Sequence, residues 1–121
     1  MSNPLPTHVI DFANPGVDAI ERVIDDPARV DTAYRSQSWR HFVEPRKNAV
    51  GGIWAAGPHR EHCVCDYDEL CHLLEGRVRL TDAEGNSRTF EAGATFVVAA
   101  GFTGTWENLT PVRKVYLILG A

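Results

Sequence analysis

The chain has no concentration of basic charge: 12 lysines and arginines stand against 16 aspartates and glutamates, for a formal net charge of −4. Phosphate backbones are held by clustered basic surface, so nucleic acid is not an expected partner. No apolar run approaches the roughly 18 residues that a membrane span requires. The opening Met-Ser-Asn-Pro-Leu-Pro-Thr has neither the basic nor the apolar stretch of a secretion signal. These absences predict a cytoplasmic protein with no membrane partner. Cysteine is scarce and odd in number, with Cys63, Cys65 and Cys71 crowded into nine residues. That spacing is not a disulfide framework, and reduced thiols are expected.

What is present describes one domain. A chain of 121 residues, 44% hydrophobic and 23% charged, leaves room for a single core. Residues 1–16 are proline-rich and aperiodic. They open an N-terminal arm, residues 1–49, that packs on the main body or on a partner. Within it, Val17, Ile20, Val23 and Ile24 recur at helical spacing, so one short helix is expected before Pro27. Residues 31–47 read as irregular, with Tyr34, Trp39 and Phe42 as packing anchors.

From residue 50 to 121 the pattern is that of short strands separated by turns. Gly51–Ala56, Glu69–Glu75, Arg77–Thr81, Ser87–Phe90, Thr95–Ala99, Thr105–Asn108 and Val112–Leu119 each carry strand chemistry. Gly85 and Gly93 sit at turns. Seven or so strands of this kind predict an all-β sandwich or barrel.

The segment from His62 to Gly76 gathers all three cysteines, two histidines and Glu69, more metal-binding or proton-moving groups than any other stretch. Glu69 is followed seven residues later by Gly76. Further on, Gly93, Gly101 and Asn108 fall at fixed spacings, with Ala99 and Gly104 between them.

These two spaced motifs resemble those of the cupin superfamily, and the resemblance covers residues 50–119. It implies a double-stranded β-helix, the small jelly-roll-like barrel. Gly52-Ile-Trp54, Leu74-Glu-Gly76, Gly104-Thr-Trp106 and Arg113-Lys-Val-Tyr116 look like the short cupins with a Gly-Thr-Trp second motif. Those are similar to a cupin half of ureidoglycine aminohydrolase and to ethanolamine-utilisation cupins. The resemblance also implies a homodimer.

In metal-binding cupins three histidines and the glutamate meet inside the barrel. Here a four-residue gap before Glu69 places the first two histidine positions at His62 and Val64. A three-residue gap places them at Cys63 and Cys65. The third position is Gly104, which offers no ligand. No cofactor is favoured on this reading. The alternative is a divalent Zn, Mn or Fe on His62, Cys65 and Glu69, with cysteine donors suiting zinc. His59 and His62 otherwise read as solvated surface histidines.

Loss of an imidazole at Gly104 leaves room that Trp106, on the same strand face, can line. Trp54 and Phe102 add aromatic surface, and Cys71 shares the face of Glu69. Lys114 and Tyr116 alternate with Val115 and Leu117, and face a pocket mouth or a partner. The expected substrate-binding set is therefore Trp54, Cys71, Phe102, Trp106, Lys114 and Tyr116, around Glu69 as candidate acid or base. A carboxylate among aromatics without a metal is expected to have a raised pKa. The blander readings are cysteines acting as small buried hydrophobes and indoles that simply fill the core.

Three functions are compatible with this pattern. The first is a barrel with a degenerate metal site that binds a small organic molecule. The second is a hydrolase or lyase acting on a small amide, ureido or amino compound, with or without a metal. The third is an interaction module with a plugged barrel.

Overall fold

Runs rich in valine, isoleucine, threonine and aromatics favour extended pairing, and the chain consists almost wholly of such runs. The structure, a computed structural model, describes residues 4–120. Ten strands follow one another: β1 (Ile20–Ile24), β2 (Tyr34–Glu44), β3 (Ala49–Ala56), β4 (His59–Val64), β5 (Asp68–Glu75), β6 (Arg77–Asp82), β7 (Ser87–Glu91), β8 (Thr95–Val98), β9 (Thr103–Asn108) and β10 (Val112–Leu119). A 3-10 turn, Pro45–Lys47, links β2 to β3. Among the described residues no helix is long and apolar enough to cross a membrane.

The strands form two antiparallel sheets, ordered β1-β2-β3-β10-β5-β8 and β4-β9-β6-β7. This is the all-β architecture expected from the strand pattern. Their facing sides supply the core of Cys71, Leu73, Val78, Val98, Trp106 and Val112. The register places Ser38, Trp54, Lys114 and Leu73 in one row across the large sheet. Tyr116 pairs with Cys71 in the adjacent inward row, and Ile118 with Glu69 in the next. Since side chains alternate along a strand, every second residue of β10 enters the barrel.

Two glycines hold this geometry. Gly76 makes the one-residue turn between β5 and β6 at φ +89°, and a Cβ there would lie 2.2 Å from the Pro111 carbonyl oxygen. Gly104 sits where β9 passes closest to β6, and a Cβ would lie 1.9 Å from the Thr81 carbonyl oxygen. The room expected at Gly104 is therefore not there. The glycine permits close approach of two strands rather than vacating an imidazole site.

Three sequence-based expectations are corrected. The helix expected across Val17–Ile24 is strand β1, paired with β2 from Ile20↔Ser38 to Ile24↔Tyr34. Its β-branched residues suit a strand, and the neighbouring edge supplies the hydrogen bonds. The irregular stretch 31–47 contains the longest strand, β2, with 11 residues. The boundary set at residue 50 falls inside β3, and β1 and β2 are two strands of the large sheet. Among the described residues only 4–19, preceding β1, remain arm-like, with Phe12 stacked on His41 at 5.2 Å.

Candidate functional site

The inward rows of β5 and β10 bring Glu69 and Lys114 together. Lys114 Nζ donates to Glu69 Oε2 at 2.7 Å, with side chains only 8% and 16% exposed. The Cys71 thiol donates to the same oxygen at 3.2 Å, and Lys114 Nζ lies 3.9 Å from Cys71 Sγ. The ammonium also sits 4.1 Å from the Trp106 ring centroid and 4.7 Å from that of Trp54. A cation between two aromatic faces is stabilised by their quadrupoles, more so when desolvated.

Burial alone pushes the Glu69 carboxyl up, but the Lys114 charge and its hydrogen bond, with the Cys71 thiol, bring it below the ordinary carboxylate range. The raised value expected from the sequence is thus corrected, because the buried partner was a lysine 45 residues away. Burial, the largest single effect, pushes Lys114 down, but the charge and hydrogen bond of Glu69 together with Cys71 and Tyr67 more than offset it, leaving the amine above its usual value. Both directions describe an ionised pair. Burial pushes the Cys71 thiol up to about 12, so it is a protonated donor.

Around this pair lies a cavity of about 250 Å3, lined among others by Trp54, Phe102, Trp106, Tyr116 and Glu69. A larger, more open groove runs past the ends of β1, β2 and β10, but its lining mixes Glu21, Glu75 and Arg113 with alanines and holds no aromatic wall. The barrel cavity therefore commands attention. Trp106 and Trp54 meet edge to face at 6.3 Å. Trp106 Nε1 donates to Asn108 Oδ1 at 2.7 Å, and the Asn108 amide donates to the carbonyls of Ala56 and Gly57. Asn108, the last residue of the second motif, thus fixes the indole through satisfied buried hydrogen bonds.

The expected binding residues separate on inspection. Trp54, Phe102, Trp106, Lys114 and Tyr116 line the cavity with Glu69. Cys71 does not line it, being fully buried beneath the ion pair in the core. Lys114 and Tyr116 point into the barrel and are 6% and 5% exposed.

The metal alternative is not assembled. On β4, His59, Glu61 and Cys63 alternate as partly buried with exposed Arg60, His62 and Val64. His62 therefore faces away, towards Asp31 at 4.0 Å, and cannot join Cys65 and Glu69. Cys63 and Cys65 do face the cavity. Burial pushes the Cys63 thiol up to about 12 and raises Cys65, so both thiols are protonated at neutral pH here. Among the described residues no three histidine, cysteine or acidic side chains form a metal-holding group. The chemistry agrees: Glu69 already carries an ammonium, and a second cation beside it would be repelled. These residues do not fit a cupin metal.

His59 is not the solvated histidine expected. It stacks on Tyr34 at 3.5 Å between centroids, hydrogen-bonds to the Gly57 carbonyl at 2.9 Å through Nδ1, and is lowered by burial.

Several lining residues carried no sequence signal. Glu61 accepts from Arg29 and, at 3.1 Å, from the Tyr34 hydroxyl. The Ser38 and Tyr116 hydroxyls bond to each other at 2.9 Å. Tyr67 and Arg40 complete the wall. Glu61 and Tyr34 belong to strands read as loop, so alternation could not place them.

Comparison with known proteins gives a consistent relationship. Residues 43–116 match the EutQ-like cupin domain. A DUF861-family protein of unknown function from Pseudomonas syringae superposes with a TM-score of 0.77 at 25% identity, over 90% of this chain and 46% of that one. The chain thus spans about half the length of that relative. The EutQ protein of Clostridium difficile superposes with a TM-score of 0.65 at 15% identity, over 81% of this chain and 74% of that one. A DUF861-family protein of Thermotoga maritima is 33% identical over 53% of this chain and 73% of its own, with a TM-score of 0.51. No curated protein matches the sequence.

Proposed function

The chain belongs to the EutQ-like cupin family, and we propose that it is a metal-independent member that binds a small organic molecule inside its barrel. The observation that carries this reading is the Lys114–Glu69 pair at 2.7 Å, which puts a covalently attached cation on the carboxylate that a cupin metal would use. The cavity beside the pair supports a ligand rather than a plug. It is concave, aromatic on several sides and lined by charged and hydroxyl groups able to orient a ligand. At about 250 Å3 it suits a small compound.

The pair also separates this reading from acid–base catalysis by Glu69. A useful general base has a pKa near the working pH. Glu69 is held below the ordinary carboxylate range by Lys114, and acts here as an ionised hydrogen-bond acceptor. Its Oε1 carries no hydrogen bond among the described residues, which leaves it free to receive an N–H or O–H from a ligand.

Elemental analysis of protein purified without chelator tests the proposal. Substoichiometric zinc, manganese and iron is expected. A stoichiometric metal that disappears in Glu69→Gln would overturn it.

A further inference from the structure

We propose that the molecule bound is an organic carboxylate, with its anionic head held by Arg40 and its body against the aromatic wall. This rests on the cavity-binding reading above and adds the ligand's charge. The chain as a whole is negative, at −4. Its cavity runs the other way, with Arg22, Arg29, Arg40 and Lys114 in the lining against Glu61 and Glu69. Lys114 is matched by Glu69, and Arg29 by Glu61. Among the described residues Arg22 and Arg40 make no salt bridge.

Arg40 is distinguished from Arg22 by its surroundings. Arg22 also borders the open groove, where Glu21 and Glu75 share the lining. Arg40, exposed at the rim, borders the barrel cavity and not that groove. Its register partner is Gly52, which puts no side chain between Arg40 and the Tyr116 of the next strand. Immediately after Arg40 the β2–β3 register slips, so that His41 is extra and stacks outward on Phe12. Bulges of this kind re-aim a neighbouring side chain.

Beside it stands the Ser38–Tyr116 hydroxyl pair. Two hydroxyls sharing one hydrogen bond leave one O–H free to donate. A guanidinium fork with an adjacent O–H donor matches a carboxylate, the partner for which arginine geometry is best suited. Arg40 and Glu69 lie on strands separated by β3 and β10 and two residues apart in register, about 16 Å apart at the backbone from ordinary strand spacing and rise. Their long side chains shorten that span to the size of a small acid. A ligand nitrogen or hydroxyl at the far end would meet Glu69 Oε1.

The test uses matched probes: acetate, isobutyrate, benzoate and phenylacetate, each beside its primary amide, titrated by tryptophan fluorescence at low salt. At least one acid is expected to bind about tenfold or more tightly than its amide, the range of a charge-assisted hydrogen bond. In Arg40→Gln that preference is expected to fall to near unity through weaker binding of the acid, whereas Arg22→Gln keeps it. Equal binding of acids and amides to the unaltered protein would overturn the carboxylate assignment and leave the cavity reading standing. Loss of preference in Arg22→Gln rather than Arg40→Gln would overturn the role of Arg40. If no probe of either kind binds, both readings fall.

Discussion

Lys114 is paired in the sheet with Leu73, yet its amine reaches past Cys71 to Glu69, four residues further along the same strand. The lysine therefore spends its length on the barrel interior, between two indoles, and delivers a positive charge where the carboxylate needs one. Removing either partner leaves the other buried and unpaired, which is the costly way to break such a pair.

Lys114→Met is accordingly expected to destabilise the fold by about 3 kcal/mol at neutral pH, measured by urea unfolding. The double variant Glu69→Leu with Lys114→Met should be less damaged than the sum of the two singles, since an apolar pair leaves no orphan charge. Strict additivity would contradict the coupling.

The pair also sets the pH dependence of stability. Glu69 is depressed in the folded state, so its contribution is present above the unfolded value of about 4.3 and is lost as pH falls through the lower folded value. Lys114 is raised, so its contribution is full below about 10.4 and is lost as pH rises through the higher folded value. Between those limits both contributions are present. Melting temperatures should fall more steeply below pH 4 in the parent than in Glu69→Gln. Parallel acid limbs would refute the assignment.

The cysteines should be slow nucleophiles. Burial pushes Cys63 and Cys71 up to about 12, leaving little thiolate at neutral pH. Iodoacetamide at pH 7.5 is expected to label them in the native protein far more slowly than a free thiol, with all three cysteines reacting after unfolding. Rapid native labelling at Cys71 would place it outside the core.

How much of this was legible follows from which rules are local. Glu69, Gly76, Gly101 and Asn108 announce the barrel because turns and strand ends recur at fixed spacing. β4 was hidden because its inward residues are His59, Glu61 and Cys63, while Val64, 83% exposed, faces out. That reverses the usual pattern of apolar-in and polar-out. β2 was hidden for a related reason: the polar Ser36, Ser38 and Arg40 line the cavity, and the bulge at His41 breaks the alternation. The Lys114–Glu69 contact depends on long-range register, which no short spacing encodes.

Gly104 offers a sharp steric check. Gly104→Ala is expected to cost about 2–3 kcal/mol, because its Cβ would meet the Thr81 carbonyl oxygen at 1.9 Å. Gly57→Ala, where a Cβ meets nothing within 4 Å, should be close to neutral. Equal effects in chemical denaturation would refute the close approach of β9 and β6.

On the reading proposed above, the barrel binds an organic molecule without a metal. The most direct measurement of this is a thermal-shift screen of small organic acids, amides and amines on protein kept in chelator throughout. At least one compound is expected to raise the melting temperature in chelator, and folded Trp106→Ala to lose the response. Stabilisation by no compound, or only after a divalent metal is returned, would contradict it.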